Sequence, residues 1–347
     1  MTGTAEVYRS FGEVSARGTS PVYEDWAVGL SGDAEVLGLV DTLPRARRQP
    51  NLVFACARLL GVPVEPWSLV RGWFVAHWDL VAREALTRTT QTNEAGRCAT
   101  LLPVLASIEG PVALLEVGAS AGLCLYPDRY SYRYVDGADG LRGTEGTEGA
   151  EGTDGAGGTD GIDEVRVDPV DGPSAVELTC RVDDLARVPR RLPDVVWRAG
   201  IDLNPLDITD PDDAAWLDVL VWPEHADRRA RLAAAATVVA AEPPLLVAGD
   251  LLDALPGLAA RAPAGATLVV QHSAVLTYVD LAVRERFAAL VRDLGAVWLS
   301  NEGVGVLPQV AATLPPGTDV GGRFVVARDG EAVALAEQHG RGFSWLR

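Results

Sequence analysis

Two patterns of hydrophobic and polar positions divide the chain near residue 110. Before this point, apolar residues recur at the spacing of buried helix faces, and Ser20-Pro21, Asp33 and Pro50 stand where helices are expected to begin. After it, short apolar runs alternate with helical stripes, which is typical of an α/β fold with a mostly parallel sheet. The pattern therefore predicts an all-α N-terminal domain over residues 1–110 and an α/β domain over residues 111–347.

Five apolar runs of the second domain are predicted to be buried strands, because they are short and bounded by turn residues. Near the C-terminus, two further strand patterns within residues 323–337 flank Asp329-Gly330, a pair that favours an antiparallel hairpin. A Gly/Thr/acid repeat at about residues 136–163 is too poor in apolar side chains to offset its ordering entropy, so it is expected to be a disordered insertion. The five runs are residues 112–117, 195–202, 245–250, 266–273 and 296–302.

The first of these strands leads into the segment on which the function depends. Residues 112–125 read V-A-L-L-E-V-G-A-S-A-G-L-C-L, which predicts a strand, a tight turn at Gly118 and Gly122, and a helix. Two chemistries use such an element. In a nucleotide site the glycines let the backbone approach a ligand and Glu116 ends the strand. In a hydrolase, G-x-S-x-G places Ser120 on a nucleophile elbow.

Charge and composition limit the classes of partner that the protein is expected to bind. The 347-residue chain has a formal net charge of −18, so it is expected to bind neither nucleic acid nor an anionic membrane, and a small-molecule substrate is favoured. Its four cysteines show no metal-binding spacing, and no histidine or acid pattern specifies a metal. The sequence shows no signal peptide and no apolar run of membrane-spanning length, which predicts a cytoplasmic protein. It leaves the oligomeric state open.

Polar residues follow the predicted strands at the edge where open parallel sheets bind ligands. Acids and a histidine around a glycine turn suit a ligand with ribose hydroxyls and an amine better than they suit a diphosphate. These residues are Glu116, Asp202, Asp250, His272 and Glu302.

The segment from Glu116 to Gly122 resembles the first motif of class I S-adenosylmethionine-dependent methyltransferases, E-x-G-x-G-x-G, with Ser120 in place of the middle glycine. The resemblance implies a Rossmann-like domain whose terminal hairpin carries the reversed last strand of that fold. It also implies that the Gly118 turn faces the amino-acid part of the cofactor, Asp202 the ribose and Asp250 the adenine. The cofactor residues implied are Glu116, Gly118, Ser120, Gly122, Asp202 and Asp250.

A second resemblance covers nearly the whole chain. The strings T-N-E-x-x-R, L-L-E-V-G-A-S-A-G-L, D-R-Y, G-I-D-L-N-P-L-D, W-P-E and H-S-x-V, in this order, are similar to a bacterial family catalogued only as a domain of unknown function. That family implies no activity.

The leading hypothesis is an S-adenosylmethionine-dependent methyltransferase that acts on an unidentified small molecule. His272 is the first candidate for the base because an unperturbed histidine titrates near pH 6.5, and Glu302 is expected to orient the substrate or bind an amine. Asn93, Glu94 and Arg97 are predicted to lie on a helix that covers the pocket, with Arg97 pairing a substrate carboxylate. The alternatives are a hydrogen-bonded His272 at the sheet end and a solvated helix end at Asn93.

Two other functions stay open. Ser120, Asp250 and His272 occur in the chain order of an α/β-hydrolase triad, although no glycine-rich segment upstream supplies an oxyanion hole. The chain could also be a non-catalytic methyltransferase-like module that binds a metabolite or a protein partner.

Overall fold

A computed structural model describes residues 3–91, 93–137 and 164–346. Most of the acidic repeat predicted to be disordered lies outside these ranges. The chain divides into two compact units, one of Met1–Thr92 with Asp207–Ala230 and the other of Asn93–Leu206 with Arg231–Arg347. Residues 93–110, which the sequence patterns assign to the helical domain, cluster with the second unit.

The helices begin at the residues that the sequence indicates. The hydroxyl of Ser20 accepts a hydrogen bond from the amide of Tyr23, and the carboxylate of Asp33 accepts from the amides of Glu35 and Val36. The helices are α1 (Thr4–Ser10), α2 (Pro21–Ser31), α3 (Ala34–Val40), α4 (Pro50–Leu59), α5 (Trp67–Thr87), α6 (Cys98–Leu105), α7 (Pro211–Leu220), α8 (Ala226–Ala241), α9 (Leu251–Ala259), α10 (Leu281–Asp293) and α11 (Pro308–Ala311).

Aromatic side chains form the centre of the first unit. Trp26 contacts Phe54 and Phe74 edge-on, with ring centroids 5.5 and 5.6 Å apart, and all three are buried. Arg58 in α4 donates to the carbonyls of Val219 and Val221 at the end of α7, which ties residues 207–230 to the helices that open the chain. The first unit is therefore held by its own aromatic core.

The second unit is built on one mixed sheet, whose eleven described strands run in the order β3-β2-β4-β11-β10-β9-β8-β7-β1-β5-β6. The neighbours from β8 to β6 are parallel, and β9 and β10 form the antiparallel hairpin that Asp329-Gly330 predicts. The strands are β1 (Pro111–Val117), β2 (Ser131–Asp136), β3 (Glu164–Val167), β4 (Glu177–Val182), β5 (Asp194–Asp202), β6 (Leu245–Ala248), β7 (Thr267–Ser273), β8 (Val297–Gly303), β9 (Phe324–Arg328), β10 (Glu331–Ala336) and β11 (Gly342–Trp345).

The two faces of this sheet carry different side chains at the carboxyl ends of its central strands. Successive side chains of a strand point to opposite faces, and residues paired across neighbouring strands share a face. Glu116 pairs with Gln271, whereas His272 pairs with Ser300. We call the first side the Glu116 face (Glu116, Gln271, Ser273, Asn301) and the second the His272 face (His272, Trp298, Ser300, Glu302).

The His272 face is covered by an apolar core. Leu115 and Val117 of β1, which flank Glu116, pack there with Phe287 and Val291 of α10. Helix α9 contributes Leu255 to the same core. The alternation along β1 therefore directs Glu116 away from this core.

Candidate functional site

The turn after β1 adopts the left-handed backbone that its glycines suggest. Gly118, Ser120 and Gly122 have φ values of +72°, +51° and +77°. A Cβ built on Gly118 would lie 2.8 Å from Cγ1 of Val275 and closer still to Cγ2, so a larger residue there overlaps the protein itself. Ser120 takes the conformation that a glycine adopts freely, at a typical cost of about 1–2 kcal/mol for an L-residue.

The prediction of a helix after this turn is wrong. Only the three residues Leu123–Leu125 form a 3-10 turn, after which the chain runs into β2. Pro127 disfavours helical backbone at Tyr126, and the Tyr130 hydroxyl donates to the carbonyl of Leu123 at 2.7 Å. The turn therefore lacks the helix N-terminus that a phosphate-binding loop uses.

The first peptide N–H groups of the turn bond within the protein. The amides of Gly118 and Ala119 donate to the carbonyl of Ile201 at 2.7 and 3.1 Å. The amide of Ser120 donates to Oδ2 of Asp202 at 2.9 Å. These three amide groups are therefore not presented to an anion.

Asp202 is the last residue of β5, and its carboxylate holds the turn through a hydrogen bond. Its Oδ1 accepts from the amide of Asn204 at 2.9 Å, so each carboxylate oxygen holds one backbone amide. A carboxylate oxygen can accept a second hydrogen bond, which leaves capacity for a hydroxyl group. Asp250 lies at the surface and accepts from the amide of Leu252, where it caps α9.

Glu116 is the buried acid of the site. Glu116 is 6% exposed, and its Oε2 has no hydrogen-bond partner. Burial, reinforced by the nearby Cys124 and Asp202, raises the pKa of Glu116 well above that of an ordinary glutamate, although the Arg97 guanidinium opposes the shift. The site thus contains a carboxyl group with an unused oxygen.

Residues 93–97 do not lie on a helix as predicted. Helix α5 ends at Thr87, and the only regular element from 93 to 97 is the 3-10 turn Ala95–Arg97. The three predicted substrate residues belong to the second unit and contact the strand ends and the turn. Arg97 Nη1 donates to the carbonyl of Ser273 at 2.8 Å, and Asn93 Oδ1 accepts from the amide of Leu123 at 3.2 Å.

The Glu94 carboxylate bonds to an amide of this segment and to an arginine of α8. Its Oε1 accepts from the amide of Gly96 at 3.0 Å and from Nε of Arg231 at 2.9 Å. Asn93 keeps its amide nitrogen Nδ2 buried and without a partner. Of the three residues, Asn93 therefore offers an unused donor, whereas the buried Glu94 forms an ion pair with the partly buried Arg231.

His272 lies on the other face of the sheet, together with Glu302. His272 is fully buried; its Nδ1 is 2.8 Å from Oε1 of Glu302, and its Nε2 accepts from the indole N–H of Trp298 at 3.0 Å. Because Nε2 accepts, the ring is neutral and its one proton is donated to Glu302. Neither nitrogen is free to take a proton from a substrate, so the geometry gives the predicted base role no support.

The same contacts separate the residues of the alternative triad. His272 is oriented by Glu302 and Trp298, and Asp250 caps a helix at the surface. Ser120 is buried in the turn that Asp202 fastens. The structure does not assemble Ser120, Asp250 and His272 into a hydrolase triad.

Sequence reasoning missed several polar residues beside the turn. Gln271 donates to the carbonyl of Cys124 at 2.9 Å, and Asn301 donates to the Ser273 hydroxyl at 3.0 Å. Arg198 forms a bidentate ion pair with Asp128, with N···O distances of 2.8 and 3.1 Å. An arginine inside the strand pattern V-V-W-R-A was the available signal, since a buried guanidinium needs an acid.

Neither a metal-binding cluster nor a membrane-spanning helix is present in the described ranges. Among residues 3–91, 93–137 and 164–346, no group of three or more His, Cys, Asp or Glu side chains is arranged to hold a metal ion. None of the helices described in those ranges combines the length and apolarity needed to cross a bilayer.

These observations define an α/β protein with a mixed eleven-stranded sheet and a polar edge at its central strands. Residues 5–345 match a family described as "Uncharacterized protein conserved in bacteria (DUF2332)". The chain belongs to this family, which confirms the predicted membership of a bacterial family of unknown function. Comparison with curated proteins and with solved structures finds no match.

Proposed function

We propose that the second unit is a Rossmann-like domain that binds S-adenosylmethionine, and that the protein is a methyltransferase acting on a small molecule. The five parallel strands β6-β5-β1-β7-β8 support this proposal. Numbered along the chain, their order is 3-2-1-4-5, as in doubly wound nucleotide-binding sheets. A reversed strand, β9, follows β8, as the resemblance to class I methyltransferases implies.

The observation that carries the proposal is the unpartnered Oε2 of Glu116 beside the Gly118 turn. A buried acceptor without a partner costs free energy that a ligand can recover by donating a hydrogen bond. The positively charged amino group of S-adenosylmethionine is such a donor, and its charge would favour loss of the proton that the raised pKa leaves on Glu116. Asp202 keeps acceptor capacity for the ribose hydroxyls. Because the amides at Gly118, Ala119 and Ser120 are already bonded, the acids rather than the backbone would hold this cofactor.

When bound, the cofactor supplies an electrophilic methyl group; the protein binds and orients it. Glu116 and Asp202 hold the two polar ends of the nucleoside amino acid, and Asn93 offers its buried amide to the same region. His272 points to the opposite face, so it transfers no proton at this site and instead positions Glu302.

Calorimetric titration with S-adenosylmethionine and S-adenosylhomocysteine tests the proposal. We expect micromolar binding, weakened about tenfold or more by Glu116→Gln, since a hydrogen bond to a charged group contributes about 1.5–3 kcal/mol. The exposed Glu109→Gln provides a matched control on the same unit. Absence of binding to folded wild-type protein would exclude the cofactor.

One observation favours a second candidate, a non-catalytic binding module. Both nitrogens of His272, the residue predicted to be the base, are bonded on the face opposite Glu116. Firm cofactor binding without labelled methyl transfer to any pool of small-molecule acceptors would support this module over the enzyme.

A further inference from the structure

A buried donor and a buried acceptor meet at the carboxyl ends of β7 and β8. The donor is the guanidinium of Arg97, the acceptor is the side-chain amide of Asn301, and Ser273 connects the two. Arg97 Nη1 donates to the Ser273 carbonyl at 2.8 Å, and Asn301 Nδ2 donates to the Ser273 hydroxyl at 3.0 Å. Both groups therefore lie within reach of one small molecule bound beside Ser273.

Arg97 is a buried cation without an acid partner. The residue is 7% exposed, and its Nη1 and Nε donate to the carbonyls of Ser273 and Gln338 at 2.8 and 3.4 Å. Among the residues that the structure describes, no carboxylate forms an ion pair with the guanidinium, and Nη2 bonds to none of them. A buried charge without an opposite charge is costly, and the carboxylate of a ligand would supply that charge.

Glu116 does not neutralise Arg97. The two side chains interact electrostatically, but no hydrogen bond joins them. Burial raises the pKa of Glu116 in spite of Arg97, so this carboxyl keeps its proton more readily than an ordinary glutamate does. The positive charge of Arg97 therefore stays available for a ligand.

Asn301 offers an acceptor that is not used within the described chain. The residue is fully buried, and the bond from Nδ2 to the Ser273 hydroxyl fixes the orientation of its amide. Its Oδ1 is buried and has no hydrogen-bond partner. A buried acceptor without a partner costs free energy that a donor on a ligand can recover. The side chain thus suits a hydroxyl or amino group.

The backbone that separates these groups is strained. Ala274, directly after Ser273, has a φ of +57°, in the left-handed region that L-residues adopt only at a cost. Its amide donates to the Asn301 carbonyl at 3.0 Å, while the Ser273 carbonyl receives Arg97. Strain of this kind occurs at ligand sites, where the surrounding contacts maintain it.

We propose that the methyl acceptor is a small carboxylic acid with a hydroxyl or amino group near its carboxylate, and that Arg97 and Asn301 bind it beside Ser273. Arg97 pairs with the carboxylate through Nη2, and Asn301 Oδ1 accepts the O–H or N–H hydrogen. The acceptor role rests on the function proposed above, whereas the recognition of a hydroxy or amino acid rests on these two side chains alone.

The position of the subsite fits an acceptor. Asp202, proposed to hold the ribose, ends β5 on one side of β1, whereas Ser273 and Asn301 belong to β7 and β8 on the other side. The cofactor and the acceptor would then lie side by side along the strand ends. Arg97 and Ser273 are 7% and 5% exposed, so the subsite borders solvent and an acceptor can enter there.

Three probes of similar size test the subsite without the cofactor. L-lactate carries a carboxylate and a hydroxyl, propionate carries only the carboxylate, and lactamide replaces the carboxylate by a neutral amide. At equal ionic strength, set with sodium chloride, L-lactate should raise the melting temperature in a concentration-dependent way and more than either of the others. An equal rise with propionate or lactamide, or no rise with L-lactate beyond that of chloride, would overturn the proposal.

Two variants assign the groups by calorimetric titration. Arg97→Gln should lower L-lactate affinity about tenfold or more and abolish its preference over lactamide, since a hydrogen bond to a charged group is lost. Asn301→Ala should instead abolish the preference for L-lactate over propionate. Arg97→Lys keeps the charge and replaces Arg97→Gln if that variant does not fold. Arg261→Gln, exposed on the same unit, is the control, and unchanged probe preferences in the folded variants would refute the site.

Titration with S-adenosylhomocysteine separates the acceptor from the cofactor as the source of the carboxylate. This ligand carries an amino-acid carboxylate, whereas 5′-methylthioadenosine lacks it. We expect Arg97→Gln to change the affinity for either ligand by about twofold at most. A loss of about tenfold with S-adenosylhomocysteine alone would assign Arg97 to the cofactor and overturn the acceptor subsite. If the wild type binds neither nucleoside, the cofactor is excluded, and the response to L-lactate still decides whether the acid subsite exists.

Discussion

Replacing Gly118 by alanine tests whether the glycine turn is shaped by the protein or only by a ligand. The left-handed backbone costs an alanine about 1–2 kcal/mol. Overlap of its Cβ with Cγ1 and Cγ2 of Val275 adds about 1–3 kcal/mol, typical of overpacking. We expect Gly118→Ala to lower the free energy of unfolding by about 2–5 kcal/mol without any ligand present.

Gly110 provides a matched control for the backbone contribution. Its φ is +77°, close to that of Gly118, but a Cβ built there meets nothing within 4 Å. Gly110→Ala should therefore cost only the conformational part, about 1–2 kcal/mol. The difference between the two variants isolates the contact with Val275.

A double-mutant cycle with Val275→Ala completes the test. Alanine at 275 removes both methyl groups and leaves a Cβ 3.1 Å from the new one, a contact that a small shift relieves. In that background the cost of Gly118→Ala should fall to that of Gly110→Ala, giving a coupling energy of about 1–3 kcal/mol. Equilibrium urea unfolding measures all four proteins, and an equal cost in both backgrounds would refute the packing argument.

Two further stability predictions rest on buried ionisable groups. Because the folded pKa of Glu116 is raised, the folded state keeps a proton that the unfolded state loses, so stability falls by up to about 1.4 kcal/mol per pH unit between the ordinary carboxyl pKa and the folded one. Glu116→Gln should remove this fall, so the variant should gain stability relative to the wild type as the pH rises. If urea unfolding gives the same difference in unfolding free energy between the two proteins at pH 4 and pH 8, the reasoning is wrong. Asp128→Ala leaves Arg198 buried without its acid and should cost about 3–5 kcal/mol, whereas a cost below 1 kcal/mol in the same assay would contradict the buried ion pair.

Local signals predicted much of the fold correctly. The five apolar runs became strands, and Ser20 and Asp33 cap helices as expected because each cap depends on its own neighbours in sequence. The extension of the sheet by β3, β4 and β11 was missed, since it depends on pairing between segments far apart. The alternation of E-L-T-C-R-V, residues 177–182, was a strand signal within that region.

The helix predicted after Gly122 fails for a tertiary reason. Asn93, Ile201 and Asp202, all distant in sequence, take the amides of the turn, and Pro127 opposes helical backbone beyond it. A glycine motif read locally cannot anticipate such partners. The motif predicted the tight turn correctly and the element after it incorrectly.

The predicted site residues lie on two faces of the sheet. Which face each residue takes depends on the register of strand pairing, which cannot be read from the sequence. Alternation along β7 already places His272 opposite Gln271 and Ser273, but which of them shares a face with Glu116 depends on how β7 pairs with β1. The observed pairing of Glu116 with Gln271 sets His272 on the opposite face, and a slip of one residue would have reversed this. The polar strand ends that looked like one site therefore form two groups, an acid with an unused oxygen beside the glycine turn and a buried His272–Glu302 pair on the opposite face.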